Sequence, residues 1–241
     1  MRFVIGHQSD RGLVRETNED AFFVSDRCLA VADGMGGHRA GEVASKMAMD
    51  VLDALESMPS TDSGWRDLVV QINRTVLDAA RLDRRYRGMG TTLTLAALVD
   101  VELVVVHVGD SRAYVASGGR IKQLTEDHSL VQTLVSAGTI TEEEAMRHHS
   151  RNVITSAIGV EGDLRIDVVR TKVRPSDVVV VCTDGLSSLV TRKEILAMIT
   201  EATRSAAPDD CPQVVADMLV SKALERGGYD NVTAIVGRVE P

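Results

Sequence analysis

The sequence predicts an α+β protein in which antiparallel sheet is flanked by helices. Two observations carry that prediction. Runs rich in β-branched residues follow one another too closely for parallel crossovers, as in 92–99 and 103–108, so they pair antiparallel. Helical periodicity arrives in pairs between those runs, which argues for layers and against a doubly wound parallel sheet. Within 241 residues there is no repeat or low-complexity tract. The short weak points at 57–64 and 206–212 read as surface loops, so one domain spanning 1–241 is expected.

Taken in order, 21–24 and 28–32 read as strands bounded by Asp and Gly. Val43, Met47, Val51, Leu52 and Leu55 recur at helical spacing and predict a helix near 41–57. Trp65, Leu68, Val69, Ile72, Val76 and Leu77 predict a second over 64–83. Strands are expected at 92–99, 103–108 and 112–116. A short helix over 129–137 ends at Gly138, and another starts at Thr141 with Glu144 as its capping partner. Strands at 164–170 and 178–182 come next. Thr191 and Glu194 form a capping-box pair before Ile195, and Pro212 suits the first turn of a further helix. The last strand covers 232–239.

Composition excludes several functions. With 27 Lys+Arg against 35 Asp+Glu the net charge is −8, and aromatics make up only 3% of the chain. An acidic chain poor in rings lacks the means to track or stack nucleic acid. No apolar run approaches the length of a membrane span, and the N-terminus does not read as a secretory signal. Cys28, Cys182 and Cys211 are odd in number and widely spaced, as expected of reduced thiols in a cytoplasmic protein.

The acids at strand boundaries carry the chemistry. Asp33 lies in Asp33-Gly34-Met35-Gly36-Gly37, Asp110 in Gly109-Asp110-Ser111-Arg112, Asp184 in Thr183-Asp184-Gly185 and Asp230 in Gly228-Tyr229-Asp230-Asn231. Any one Asp beside Gly reads as turn chemistry. Four of them, with Glu19-Asp20 ahead of a strand, suggest carboxylates gathered for hard cations such as Mg²⁺ or Mn²⁺.

Together with Arg15-Glu16-Thr17-Asn18-Glu19-Asp20 and Gly88-Met89-Gly90-Thr91-Thr92, these segments stand in the order found in type 2C metal-dependent serine/threonine protein phosphatases. The chain resembles the compact bacterial form over roughly residues 3–238. The resemblance implies a four-layer αββα sandwich, two antiparallel sheets flanked by helix pairs, with a flap over roughly 127–160. It also implies hydrolysis of phosphoserine and phosphothreonine in proteins by a metal-bridging water, with no phosphoenzyme. By similarity Asp33 bridges two ions, the Gly34 carbonyl joins one, and Asp184 and Asp230 complete the second ion's shell. Asp20 matches a metal ligand, and Asp110 the ligand of a weaker third ion. Glu19 and Asn231 are expected to act through waters or neighbouring ligands. Arg15 matches the arginine that grips the substrate phosphate.

Two positions depart from the family pattern. Met35 stands where animal members carry a histidine, so the general acid is unassigned, and His38 reads as a solvated histidine. Ser188 stands where many relatives have an Asp, which leaves the third ion marginal. His107 is expected to be packed, His128 to open the flap, and His148-His149 to lie at the surface. The expected partners are phosphorylated proteins and a cognate Ser/Thr kinase, with no nucleic acid or membrane segment and a monomeric state. Competing readings are a phosphatase of anti-sigma-antagonist type within the same superfamily, and a phosphatase-like binding module without catalysis.

Overall fold

The computed structural model describes residues 1–36 and 40–241, apart from the side chains of Glu142, Met146 and Arg147. Gly37 and His38 therefore lie outside the described residues. In chain order, β1 (Arg2–Asp10), β2 (Asp20–Ser25) and β3 (Cys28–Met35) lead into α1 (Ala40–Asp53) and α2 (Asp62–Leu82). Next come β4 (Gly90–Thr91), β5 (Leu93–Val99), β6 (Glu102–Val108), β7 (Arg112–Ser117) and β8 (Arg120–Gln123). After α3 (Leu130–Ser136) and α4 (Glu142–Arg147) follow β9 (Asp167–Lys172) and β10 (Val178–Cys182). The chain closes with α5 (Asp184–Ser187), α6 (Arg192–Ser205), α7 (Cys211–Glu225) and β11 (Val232–Glu240).

One sheet has the order β1-β11-β10-β7-β8 and the other β2-β3-β5-β6-β9, with β4 joined to the end of β3. Every pairing is antiparallel. Each sheet is apolar on both faces, and the residues alternate between two cores. In β10, Val178, Val180 and Cys182 pack with Ile195, Val215 and Leu219 of α6 and α7, while Val179 and Val181 point to the other sheet. In β3, Cys28, Ala30 and Ala32 pack with Trp65 and Ile72 of α2, while Leu29 and Val31 meet Val179 and Ile235 between the sheets. A strand buried on both faces has no polar side to show, which is why these segments read as continuous apolar runs. Each fully buried Val or Leu contributes about 2 kcal/mol, so three stacked cores hold four layers without a disulfide. Cys28, Cys182 and Cys211 are free, buried thiols. No helix among the described residues is long and apolar enough to cross a membrane.

The helix boundaries follow the chemistry that predicted them. Thr141–Glu144 and Thr191–Glu194 both form complete capping boxes. Pro212 sits in the first turn of α7 and Ser129 caps α3. Strand β3 runs three residues past the expected 32, to Met35, and three further boundaries differ for local reasons. The first helix stops at Asp53 because its last turn tightens, with Leu55 N–H donating to Leu52 O. Helix α2 starts at Asp62, two residues early, because Thr61 caps Gly64 N–H. The strand expected at 164 begins at Asp167, since Arg165 N–H is taken by the Ser156 hydroxyl.

Candidate active site

The acids converge because strand ends from both sheets meet at one end of the sandwich. Asp20 opens β2 and Asp33 nears the end of β3, and the two are directly opposite in the β2–β3 register. Like charges facing across a ladder repel. Asp184 follows β10 as the first residue of α5, Asp230 lies two residues before β11, and Asp110 lies in the turn between β6 and β7. The Asp33 carboxyl is within hydrogen-bonding reach of Asp184, and Asp20, Asp184 and Asp110 all act on its charge.

Burial and mutual repulsion push these groups toward the neutral form. Asp20 is raised to about 7, chiefly by burial, against the pull of hydroxyl donors from Thr233 and Thr183 and with repulsion from Asp184 and Asp230. Asp110 is raised to about 8, by burial first and then by Asp184 and Asp127. Asp33 is pushed well above the carboxylate range by burial and then by Asp20, Asp184 and Asp110. Asp184 is raised by burial and by Asp230, and Glu19 is raised mainly by burial. Carboxylates held together this way ionise fully only when cations offset their burial and mutual repulsion.

Hydroxyls and one asparagine fix their positions. Thr183 and Thr233 both donate to Asp20 Oδ2, at 2.9 and 2.6 Å. Asp33 N–H donates to Thr92 Oγ1 at 2.9 Å, and Thr91 and Thr92 both return donors to the Asp33 carbonyl. Asn231 ties the Arg15–Asp20 loop to the start of β11. Its Oδ1 accepts from Glu19 N–H at 2.8 Å, and its Nδ2 donates to the carbonyls of Arg11 and Thr17 at 2.9 and 2.8 Å. Gly34 N–H donates to Glu19 O, and Ser45 of α1 donates to the same carbonyl at 2.6 Å. Gly34 is required here, because a Cβ would stand 2.3 Å from Gly41 O of α1 and 2.5 Å from Glu19 O. Arg15 reaches across to Asp230, Nη2 to Oδ2 at 2.7 Å. The Asp230 bond, with Asp33 and Glu19 nearby, raises the Arg15 pKa further.

The donor set suits a hard divalent cation. All the candidates are oxygens, and Asp20 Oδ1, Asp110 Oδ1 and Asp184 Oδ1 are buried with no hydrogen-bond partner. A buried carboxylate oxygen without a donor is costly unless an ion or proton satisfies it. Among the described residues, no three acidic, imidazole or thiol groups already enclose one point as a finished ligand cage. The acids are thus gathered and oriented, with Asp230 engaged by Arg15.

A family model described as protein phosphatase 2C matches residues 13–220. The chain belongs to that family. It is 36% identical to serine/threonine phosphatase stp of Listeria monocytogenes, over 95% of this chain and 93% of that protein. The crystal structure of the Mycobacterium tuberculosis serine/threonine phosphatase PstP/Ppp superposes with a TM-score of 0.91 at 36% identity, covering 100% of both chains. The catalytic domain of PstP in complex with two manganese ions gives 0.88 at 36% identity, over 100% of this chain and 99% of that one. Full-length PstP is longer, and this chain spans 44% of it. The four-layer sandwich implied by the resemblance is thus the fold of this phosphatase 2C chain.

Other positions resolve as follows. His107 is buried, bonded to Thr94 Oγ1 at 2.8 Å and to Glu126 O, and burial depresses its pKa to about 3. His128 is buried at the start of the 127–160 segment, between Gly109 N–H and Asp167. His148 and His149 stack on each other, with His149 exposed. Ser188 is exposed and caps α5 through its N–H. Sequence reasoning missed Thr92, Thr183 and Thr233, the hydroxyls that hold Asp33 and Asp20. Polar residues inside otherwise apolar strands were the available signal.

The raised carboxylates imply a pH dependence. An acid with a folded pKa above its unfolded value adds stability below the unfolded pKa and loses it as pH rises through the folded value. Asp20 near 7 and Asp110 near 8 therefore destabilise the metal-free protein at high pH. His107 acts oppositely, because below about pH 6.5 the unfolded chain takes a proton that the folded one refuses. The metal-free protein should thus gain about 5 °C in Tm between about pH 8.5 and 6.5. Thermal melts in EDTA check this, and a Tm that falls over that interval contradicts it.

Proposed function

We propose that this chain hydrolyses phosphoserine and phosphothreonine esters in proteins with the help of Mn²⁺ or Mg²⁺, opposing a Ser/Thr kinase. In this reading it acts as a single-domain monomer in the bacterial cytoplasm, with 127–160 as a flap beside the site. One observation carries the proposal: Asp20, Asp110 and Asp184 lie close enough to Asp33 to shift its ionisation, each of the three has a buried unsatisfied oxygen, and Arg15 is bonded to Asp230 beside them. Membership of the phosphatase 2C family supports it.

Asp33, the Gly34 carbonyl, Asp184 and Asp230 would hold two ions, with Asp20 and Glu19 alongside and Asp110 serving a weaker third. Bound divalent cations lower the pKa of coordinated water toward neutrality, which makes a nucleophile available for attack at phosphorus. The protein's own groups do the rest. Thr183 and Thr233 hold the Asp20 carboxylate, Asn231 fixes the loop that carries Glu19, and Arg15 binds phosphate oxygens through its planar fork. In the structure that fork is bonded to Asp230. A cation held by Asp230 would compete with this pair and leave Arg15 available to the substrate phosphate. Met35 has no proton to give the leaving alkoxide.

Phosphate release from a phosphothreonine peptide tests the reading. Turnover should require Mn²⁺ and cease in EDTA, whereas metal binding without turnover would favour a binding module. Arg15→Ala should raise KM about tenfold or more with a smaller change in kcat, because it removes a charge-assisted contact. Unchanged KM and kcat would remove Arg15 from the phosphate site.

A further inference from the structure

Three exposed apolar residues stand close to the Arg15–Asp230 pair in sequence, alongside the exposed Glu16. Leu13, Val14 and Tyr229 are 68%, 63% and 64% exposed, among the most exposed large apolar side chains in the molecule. Single exposed apolar residues are common and need no account, but a contiguous group marks a contact surface. Leu13 and Val14 are consecutive, and Leu13 packs over Gly228, the residue before Tyr229. Val14 precedes Arg15 and Tyr229 precedes Asp230, so each side of the ion pair has an apolar neighbour in its own loop. The two loops are joined, with Leu13 N–H donating to Gly228 O at 2.8 Å and the Asn231 amide bonding to Arg11 O and Thr17 O. The Leu13 side chain packs over Gly228, and the Tyr229 ring folds back against Gly227. The patch is therefore held in place by backbone and amide bonds while its side chains face solvent.

We infer that Leu13, Val14 and Tyr229 form the substrate surface that receives apolar side chains flanking the phosphorylated residue. The inference rests on the proposed phosphatase activity and adds a sequence preference to it. A phosphate bound at Arg15 fixes where its own peptide can run. Each neighbouring residue advances no more than about 3.6 Å along the chain, so the flanking side chains fall beside Leu13, Val14 and Tyr229. An extended segment of a phosphoprotein with leucine or a similar residue next to the phosphothreonine covers that apolar surface. A segment with serine there leaves it wet.

Two phosphothreonine peptides test this, identical except that leucine or serine flanks the phosphothreonine on both sides. Wild-type protein in Mn²⁺ should show kcat/KM about tenfold higher for the leucine peptide, with the difference in KM. Tyr229→Ser and Leu13→Ser should abolish that discrimination. Leu82→Ser, which alters an 89%-exposed leucine at the end of α2, should retain it. Equal turnover of both peptides by the wild type, or discrimination that survives in Tyr229→Ser and Leu13→Ser, overturns the inference alone. No turnover of either peptide overturns the phosphatase reading and the inference with it. Thermal melts of each variant separate a lost preference from a lost fold.

Discussion

Asp33→Asn should lower turnover of a phosphothreonine peptide on the order of 10³-fold while making the metal-free protein more stable. The two effects have one cause. Asp33 lies opposite Asp20 in the β2–β3 ladder and within reach of Asp184, and burial and those neighbours drive its pKa upward. An amide of the same shape removes a charge from a place where charge is disfavoured, so the empty site relaxes. The same change removes an anionic ligand shared, by family resemblance, between two ions. Added Mn²⁺ should therefore raise the Tm of wild type strongly and that of Asp33→Asn weakly, since a ligand that binds only the folded state stabilises in proportion to its affinity. Phosphate release and paired melts in EDTA and Mn²⁺ read both effects. Wild-type activity in the variant would show that Asp33 does not serve the chemistry.

Gly185→Ala should be the most damaging small substitution near the site. A Cβ at this position would stand 1.9 Å from the Asn231 carbonyl oxygen, and that obstacle is backbone. The loop before β11 or the start of α5 must move, at a cost of about 3 kcal/mol. Either movement separates Asp184 from Asp230 and strains the bonds from Asn231 to Arg11 O and Thr17 O. Misplacement of about 1 Å at a reacting site costs on the order of 10²-fold in rate. Urea unfolding and Mn²⁺ titration calorimetry should show lower stability and weaker metal binding together. Full stability with full activity would mean that Gly185 does not abut the Asn231 carbonyl.

The buried strands were legible because a strand apolar on both faces leaves an unbroken hydrophobic run, as in Val178–Cys182. The helix starts were legible through Thr191, Thr141 and Pro212. Strand β1 was not, because it lies at the sheet edge and buries only Phe3 and Gly6 along its length. Strand β8 is four residues of alternating exposure at the opposite edge. Among site residues, Asp33, Asp110, Asp184 and Asp230 declared themselves by standing next to, or two residues from, a glycine at a strand boundary. Their supports did not, since Thr183 and Thr233 meet Asp20 from 163 and 213 positions away. Asn231 was visible as part of a motif, but its three bonds to the 11–19 loop depend on pairing across the whole chain. The engagement of Arg15 with Asp230 is likewise tertiary.

The acids are divided between the two sheets, Asp20 and Asp33 on one and Asp184 and Asp230 on the other. Their spacing is consequently a measure of how the sheets sit against each other. The layer that sets this alignment is the middle one, where Phe3, Leu29, Val31, Val179, Val181 and Ile235 interlock. Of the helices, α1 reaches the site directly, through Ser45 on Glu19 O and Gly41 against Gly34. The narrow apolar seam between the sheets therefore works as the hinge pin that keeps the two jaws of the site in register.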